Sequence, residues 1–186
     1  MKKITSIIVG SAILLGACKE SNKKTIAVEA NSSPLSIEIL DEEALQIIDP
    51  KSKIETLASG FTWTEGPLWI KDGNYLLFSD IPNNRVYKLD PQNNDTVTYL
   101  NPSGYTGSHF TGEEPGSNGL LLNKNGELVL MQHGNRQVAK MNTPLSSPSS
   151  DFTTLVDSYM GKKLNSPNDA TFDNNGNLYF TDPPYG

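Results

Sequence analysis

Three stretches of the chain share one pattern, in which two apolar runs flank an Asp-Gly or Asn-Gly pair. The second residues of these pairs are Gly73, Gly126 and Gly176, which lie 53 and 50 residues apart. An Asx-Gly pair between apolar runs predicts a tight turn that joins two strands. A repeat of this length, built as strand, turn and strand, is the signature of a propeller blade. The pattern therefore predicts an all-β fold of repeated blades.

Each repeat carries a polar residue at the same place on its first strand. Glu65, Asn118 and Asn168 each lie eight residues before the turn glycine of their own repeat. Because the corresponding strand of every blade faces the central axis of a propeller, we expect these three residues to converge near that axis. One carboxylate and two amides around a funnel suit a hard cation such as Ca²⁺.

The composition agrees with a turn-rich β protein and argues against several classes of function. The chain of 186 residues contains 15 Gly and 12 Pro, and charged residues make up 19% of it. A net charge of −6 without a basic patch argues against a nucleic-acid partner. The sequence has no Gly-x-Ser-x-Gly, His-Glu-x-x-His or P-loop motif, so serine-hydrolase, zincin and nucleotide-dependent mechanisms have no support.

The first residues have the features of a bacterial lipoprotein signal peptide, which we predict to span residues 1–17. Two lysines precede an apolar run over residues 4–15, and the run ends in Leu-Gly-Ala before Cys18. We predict lipidation of Cys18, a membrane anchor and a location in the bacterial cell envelope. The alternatives are an ordinary signal peptide or a buried helix that contains a cysteine. Since Cys18 is the only cysteine, no intramolecular disulfide is possible.

A polar segment separates the anchor from the repeats, and we predict that residues 18–50 form a tether and linker. Within it, residues 34–48 alternate and then become acidic, which fits either a strand at the propeller edge or a short helix over residues 41–48. Residues 51–186 are then a partial β-propeller of fewer than three blades. A closed propeller needs at least four blades, so we expect the chain to be a fragment of a longer protein.

The residues that carry the repeat also resemble a known family. The matching motifs, in chain order, are Thr64-Glu65-Gly66-Pro67, Ser117-Asn118-Gly119-Leu120, His133-Gly134-Asn135-Arg136, Asn165-Ser166-Pro167-Asn168-Asp169 and Phe180-Thr181-Asp182-Pro183-Pro184-Tyr185-Gly186. Together they resemble the gluconolactonase branch of the SMP-30/gluconolactonase/LRE family over roughly residues 54–186. The resemblance implies a six-bladed propeller, of which about two to three blades are present here. It also implies a divalent metal, usually Ca²⁺, and hydrolysis of sugar lactones or related esters.

The resemblance gives Glu65 and Asn168 a role, the repeat register alone gives one to Asn118, and each residue has a structural alternative. Glu65 would bind the metal, although a carboxylate at this place could instead accept hydrogen bonds from backbone amides. Asn168 would contact substrate or lie near the metal, unless Asn168 or Asp169 only caps the backbone in an Asx-turn. Asn118 would line the substrate pocket, unless its Asn-Gly pair is itself a hairpin turn.

His133 is a candidate for moving a proton or binding a lactone oxygen, and the alternative is a packed turn histidine. We expect Asp80 and Asp182 to be hydrogen-bond acceptors at blade corners. The pairs Asn84-Arg85 and Asn135-Arg136 recur before outer strands, which indicates a structural role at equivalent places. The general base and the remaining metal ligands are expected beyond Gly186, so the chain alone is expected to be inactive or nearly so.

The preferred function is therefore metal-dependent hydrolysis of a small sugar lactone. A first alternative is a non-catalytic, surface-anchored propeller that binds a glycan or a protein, because a propeller fold does not fix a function. A second alternative is a paraoxonase-like arylesterase, which would share the propeller and the metal.

Overall fold

The computed structural model describes residues 35–184, which fall into one unit up to Ile54 and a second unit from Glu55 onward. The predicted signal peptide and Cys18 lie outside the described residues. Among residues 35–184, no helix is long and apolar enough to cross a membrane.

The first unit contains a short 3-10 helix over Glu42–Gln46. Its N-cap is Asp41, whose side chain accepts a hydrogen bond of 2.9 Å from the backbone N–H of Glu43. No residue of this helix is buried. Of the two alternatives for the acidic segment, a strand or a short helix, the structure contains the short helix.

The second unit is built from antiparallel β-sheet. Its first four-stranded sheet, blade 1, contains β1 (Thr64–Ile70), β2 (Tyr75–Asp80), β3 (Arg85–Asp90) and β4 (Asp95–Leu100). Its second sheet, blade 2, contains β5 (Ser117–Leu122), β6 (Leu128–Gln132), β7 (Gln137–Met141) and β8 (Phe152–Val156). Two hairpins follow, formed by β9 (Ser158–Tyr159) with β10 (Lys162–Lys163) and by β11 (Ala170–Phe172) with β12 (Leu178–Phe180).

The prediction of an all-β fold with two to three blades is confirmed for the described residues. Each blade is a simple meander in which every strand pairs with the strand before it. The hairpin of β11 and β12 corresponds to the first two strands of a further blade. The repeat period read from the turn glycines was therefore the blade period.

The inner turns use left-handed backbone, as Asx-Gly turns require. In the second and third repeats this residue is the predicted glycine, with φ of 76° at Gly126 and 86° at Gly176. In the first repeat it is Asn74, with φ of 51°, one residue after Gly73. Asparagine tolerates this region better than most residues, so the turn forms without glycine at that position.

The core lies between neighbouring sheets, because the middle strands are covered on both faces. Leu130 of β6 packs with Leu77 of blade 1 in one apolar cluster. Val129 and Met131 of the same strand belong to a second cluster, against which Phe172 of β11 packs. Alternate residues of β6 therefore serve opposite interfaces, and all five residues of the strand are buried.

The expected equivalence of the two Asn-Arg pairs is wrong. Arg85 pairs with Asp80 in the ladder, and the residue that pairs with the end of β6 is Gln137 rather than Arg136. Arg136 instead occupies the left-handed turn position, with φ of 58°, as Asn84 does in blade 1 with φ of 53°. Both outer turns have four residues, so the Asn-Arg pair is shifted by one position between them.

Candidate functional site

The strand beginnings of the repeats are equivalent in the structure, as the sequence register predicted. In blade 1 the backbone N–H of Ile81 donates to the carbonyl of Trp63 at 3.1 Å. In blade 2 the backbone N–H of His133 donates to the carbonyl of Gly116, also at 3.1 Å. Trp63 therefore corresponds to Gly116, and two residues later Glu65 corresponds to Asn118.

The main chains of these strand beginnings are in close contact with one another at the glycine that follows the polar residue. The backbone N–H of Gly119 donates to the carbonyl of Asn168 at 2.8 Å. A Cβ atom on Gly119 would lie 2.7 Å from that carbonyl oxygen, and a Cβ on Gly66 would overlap the carbonyl of Asn118. Only glycine permits such close backbone contact. The main chains at Glu65, Asn118 and Asn168 are thus in direct contact from one repeat to the next.

Glu65 lies in β1 and is partly exposed. Its Oε1 accepts a hydrogen bond of 3.1 Å from the indole Nε1 of Trp63. Among the described residues, no backbone amide donates to this carboxylate, which differs from the alternative in which Glu65 only binds backbone amides. The position of Glu65 is fixed by the ladder, in which it pairs with Ser79.

Asn118 lies inside β5, so the alternative of a hairpin turn at Asn118-Gly119 is excluded. The residue is buried, and its carbonyl accepts a hydrogen bond of 2.8 Å from the Ser79 hydroxyl. That hydroxyl also lies 3.0 Å from the hydroxyl of Ser117. A buried network of hydroxyl groups and backbone therefore joins blade 1 to the beginning of β5.

Asn168 is held through its backbone and lies just before β11. Its N–H donates to the carbonyl of Thr181 at 2.9 Å, and its carbonyl receives the Gly119 bond. The neighbouring Asp169 is exposed, and its Oδ1 accepts a bond of 2.8 Å from the N–H of Ala170. The local capping role therefore belongs to Asp169. No described residue bonds the side-chain amide of Asn168, which leaves that amide for other contacts.

His133 is a buried residue of the outer turn in blade 2, with 1% of its side chain exposed. Its Nδ1 lies 2.8 Å from Oε2 of Glu114, while its buried Nε2 has no hydrogen-bond partner among the described residues. Burial lowers the pKa of His133 from its ordinary value of 6.5, and the charges of Glu114, Glu65 and Asp182 act against this shift. The contacts are those of a packed turn histidine, and the catalytic role stays a prediction.

Asp80 and Asp182 accept hydrogen bonds at blade corners, which confirms the structural role expected for them. The carboxylate of Asp80 accepts bonds from the backbone N–H groups of Thr62 at 3.3 Å and Trp63 at 3.2 Å. The carboxylate of Asp182 accepts the equivalent bond from Asn165 at 2.9 Å. These bonds fix the chain just before the polar strand beginnings.

Two residues at the site were missed by the sequence analysis. Trp63 precedes Glu65 by two positions, and residues two apart in extended chain share a face, so a local signal for their contact existed. Glu114 lies 19 residues before His133 in a loop, where no periodicity predicts which residues meet.

The donor chemistry at the strand beginnings is suitable for a hard cation, but the described residues do not complete a site. Carboxylate and amide oxygens are the ligands that Ca²⁺ prefers. Among residues 35–184, no group of three or more His, Cys, Asp or Glu side chains is arranged to hold a metal ion. Glu65 could supply one ligand, and the amides of Asn118 and Asn168 could supply neutral oxygens.

Two meandering sheets and the hairpin of a third, stacked through glycine-lined strand beginnings, define part of a β-propeller. The profile of the SMP-30/gluconolactonase/LRE-like family matches residues 63–186, and the chain belongs to this family. The resemblance stated from the motifs is therefore confirmed.

The similar proteins include gluconolactonases. The curated gluconolactonase of Zymomonas mobilis subsp. mobilis is 40% identical over 184 residues, which are 98% of this chain and 48% of that protein. A solved structure assigned to the gluconolactonases has a TM-score of 0.64 at 32% identity and covers 78% of this chain and 45% of that chain. A gluconolactonase structure from Xanthomonas campestris has a TM-score of 0.57 at 29% identity, covering 70% of this chain and 38% of that one. The chain spans about half the length of the curated relative.

Proposed function

We propose that the protein to which these blades belong hydrolyses a sugar lactone with the help of a divalent cation, Ca²⁺ being the best match to the donors. The family and its gluconolactonase relatives support hydrolysis of a lactone ester bond. The observation that carries the proposal is the proximity of Glu65, Asn118 and Asn168, at the place where the main chains of three successive repeats meet.

The side chains of Glu65, Asn118 and Asn168 suit distinct tasks. A bound cation would polarise the lactone carbonyl and stabilise the negative charge that develops on its oxygen. Glu65 would hold the cation through a carboxylate oxygen. The amides of Asn168 and Asn118 would bind the hydroxyl groups of the sugar and orient its ring. Asp80, with its bonds to the backbone N–H groups before β1, would keep Glu65 in place.

The role of His133 in this proposal is limited by its burial. Its Nδ1 is held by Glu114, and its Nε2 is enclosed. A histidine in this position can stabilise the outer turn of blade 2, and it can accept a proton only if that turn opens. We therefore assign the general base to the part of the protein beyond the described residues.

We also propose that Cys18 carries a lipid that anchors the protein in the bacterial cell envelope. The support is the sequence Leu-Gly-Ala-Cys after an apolar run, in the form that a lipoprotein signal takes. A Cys18→Ser variant that still fractionates with membranes would contradict this assignment.

The function is tested by assaying the purified protein, expressed from its complete coding sequence, against gluconolactone and against a phenyl ester. Proton release reports hydrolysis of the lactone. We expect lactone hydrolysis that a chelator abolishes and added CaCl₂ restores. Hydrolysis that survives the chelator would refute the metal. Turnover of the phenyl ester without the lactone would favour an arylesterase, and turnover of neither would favour a binding module.

A further inference from the structure

We propose that Trp63 is a positioning residue for Glu65, whose indole N–H holds the carboxylate in the orientation that binds the cation. The proposal rests on the proposed function of the site. It assigns a role to a residue that the motifs do not include, and it makes the affinity for the cation depend on a side chain that does not itself contact the ion.

The main chain of Trp63 is fixed on both sides. Its N–H donates to Oδ1 of Asp80 at 3.2 Å, and its carbonyl accepts a bond of 3.1 Å from the N–H of Ile81. Asp80 is itself buried, with 1% exposure. The indole therefore extends from an anchored backbone, so the direction of the Cα–Cβ bond of Trp63 is set by the fold of blade 1.

The indole reaches the carboxylate with its one polar atom. Nε1 of Trp63 lies 3.1 Å from Oε1 of Glu65. An indole nitrogen can only donate, so Oε1 of Glu65 is the acceptor of this bond. It occupies one oxygen and leaves Oε2, to which no described residue donates. A carboxylate that is held by a donor on one oxygen offers the other to a cation in a defined direction.

The corresponding positions of the other repeats make the choice of tryptophan specific to blade 1. The equivalent of Trp63 in blade 2 is Gly116, where a Cβ would lie 2.5 Å from the carbonyl oxygen of Ile81. In the third repeat the register places Ser166 there. Of the three repeats described, the one with a carboxylate is the one with a large donor side chain beside it.

The test compares Trp63→Phe with Trp69→Phe in the protein expressed from its complete coding sequence. Phenylalanine keeps an aromatic ring but removes the N–H donor together with part of the ring volume, and the control variant loses the same volume. Trp69 is a matched control because it lies in β1, six residues after Trp63, is 47% exposed and makes no hydrogen bond through its indole to a described residue. Ca²⁺ is titrated by calorimetry, and thermal stability is measured without the ion.

We expect Trp63→Phe to raise the Kd for Ca²⁺ by about 10-fold, at the lower end of what loss of a supporting hydrogen bond costs a metal site. Trp69→Phe should leave Kd unchanged, and both variants should melt within a few degrees of the wild type. An unchanged Kd in Trp63→Phe, or an equal loss in both variants, would overturn this inference alone. A wild type that binds no Ca²⁺ would overturn the proposed function and this inference with it.

Discussion

The beginnings of β1 and β5 occupy the same place in two neighbouring blades, and they differ in what surrounds them. At β5, Asn118 is buried and its carbonyl is bonded by Ser79 from the adjacent blade. At β1, Glu65 is partly exposed and its carboxylate is bonded by the exposed Trp63. The first beginning is bonded across the interface between blades, whereas the carboxylate of the second is bonded by a residue of its own blade.

Under the proposed function, this difference separates a contribution to stability from a contribution to ligand binding. Each blade needs a close backbone contact at this place, which the glycines after Glu65 and Asn118 provide. Once that contact is made, the side chain before the glycine is free to vary. Blade 1 uses the position for a carboxylate, and we infer that its contribution is to ligand binding. In blade 2 the main-chain carbonyl of Asn118, rather than its side chain, accepts the bond from Ser79 that joins the two sheets, and we infer that this bond contributes to stability.

The largest effect should come from the shared backbone contact. Gly66 has φ of 56°, and a Cβ there would overlap the carbonyl of Asn118. Gly66→Ala should lower the free energy of unfolding by about 2–5 kcal/mol, because left-handed strain adds to overpacking. Gly126→Ala is the control, since φ is 76° but nothing lies within 4 Å of its Cβ. It should cost about 1–2 kcal/mol. Equal losses in urea titrations would show that the blades are not in close contact there.

A smaller effect should come from the hydroxyl network that seals β5. Ser79→Ala removes the donor to the Asn118 carbonyl and the partner of the Ser117 hydroxyl. Leaving buried polar groups unpaired should cost about 1–3 kcal/mol of unfolding free energy. Ser158→Ala removes an exposed hydroxyl bonded to Asp157 and should change stability by less than about 0.5 kcal/mol. Similar values for the two serine variants would mean that the interface at β5 is hydrated rather than sealed.

The smallest effect should be a pH dependence from His133, in the sealed part of the molecule. Because burial holds the pKa of His133 below 6.5, the unfolded chain takes up a proton first as the pH falls. The stabilising contribution is complete above pH 6.5 and is lost as the pH falls from there through the folded-state pKa. Stability should therefore decrease as the pH falls below 6.5.

His133→Gln should flatten this decrease, whatever its effect on stability at high pH. His109→Gln is the control, because His109 is exposed and is the only other histidine of the chain. Urea midpoints from about pH 7.5 to about 5.5 measure the slope. A slope that persists in His133→Gln would assign the titration to other groups. Glu127 does not interfere with this measurement, because its pKa is lowered to about 2 and it therefore titrates in a more acidic range.

The sequence predicted the repeat because turn chemistry is local. Gly126 and Gly176 predicted the positions of their turns. The equivalence of Glu65, Asn118 and Asn168 followed because each lies eight residues before the turn glycine of its repeat. The sequence was a poorer guide at the outer turns. The two Asn-Arg pairs have the same sequence there but occupy structural positions that differ by one residue. A turn of fixed length sets which residue takes the left-handed conformation, and that choice is not visible in a dipeptide.

The contacts of the site were harder to predict because they depend on loops. The bond between His133 and Glu114 joins an outer turn to a glycine-rich loop, and no pattern in either segment specifies the other. The bond between Trp63 and Glu65 is local, and their spacing of two residues in extended chain predicts that the two side chains share a face. The polar residues of a propeller surface can thus be located by register, while their partners require the folded chain.

The most direct test of this account is a calorimetric titration with Ca²⁺ of the complete protein and of two variants, Glu65→Gln and Asn118→Asp. Glu65→Gln removes the charge that we assign to the cation and should abolish measurable binding while leaving the melting temperature nearly unchanged. Asn118→Asp adds a charge at the sealed position and should lower stability without replacing that ligand. Undiminished Ca²⁺ binding by Glu65→Gln would contradict the assignment of the metal site to the beginning of β1.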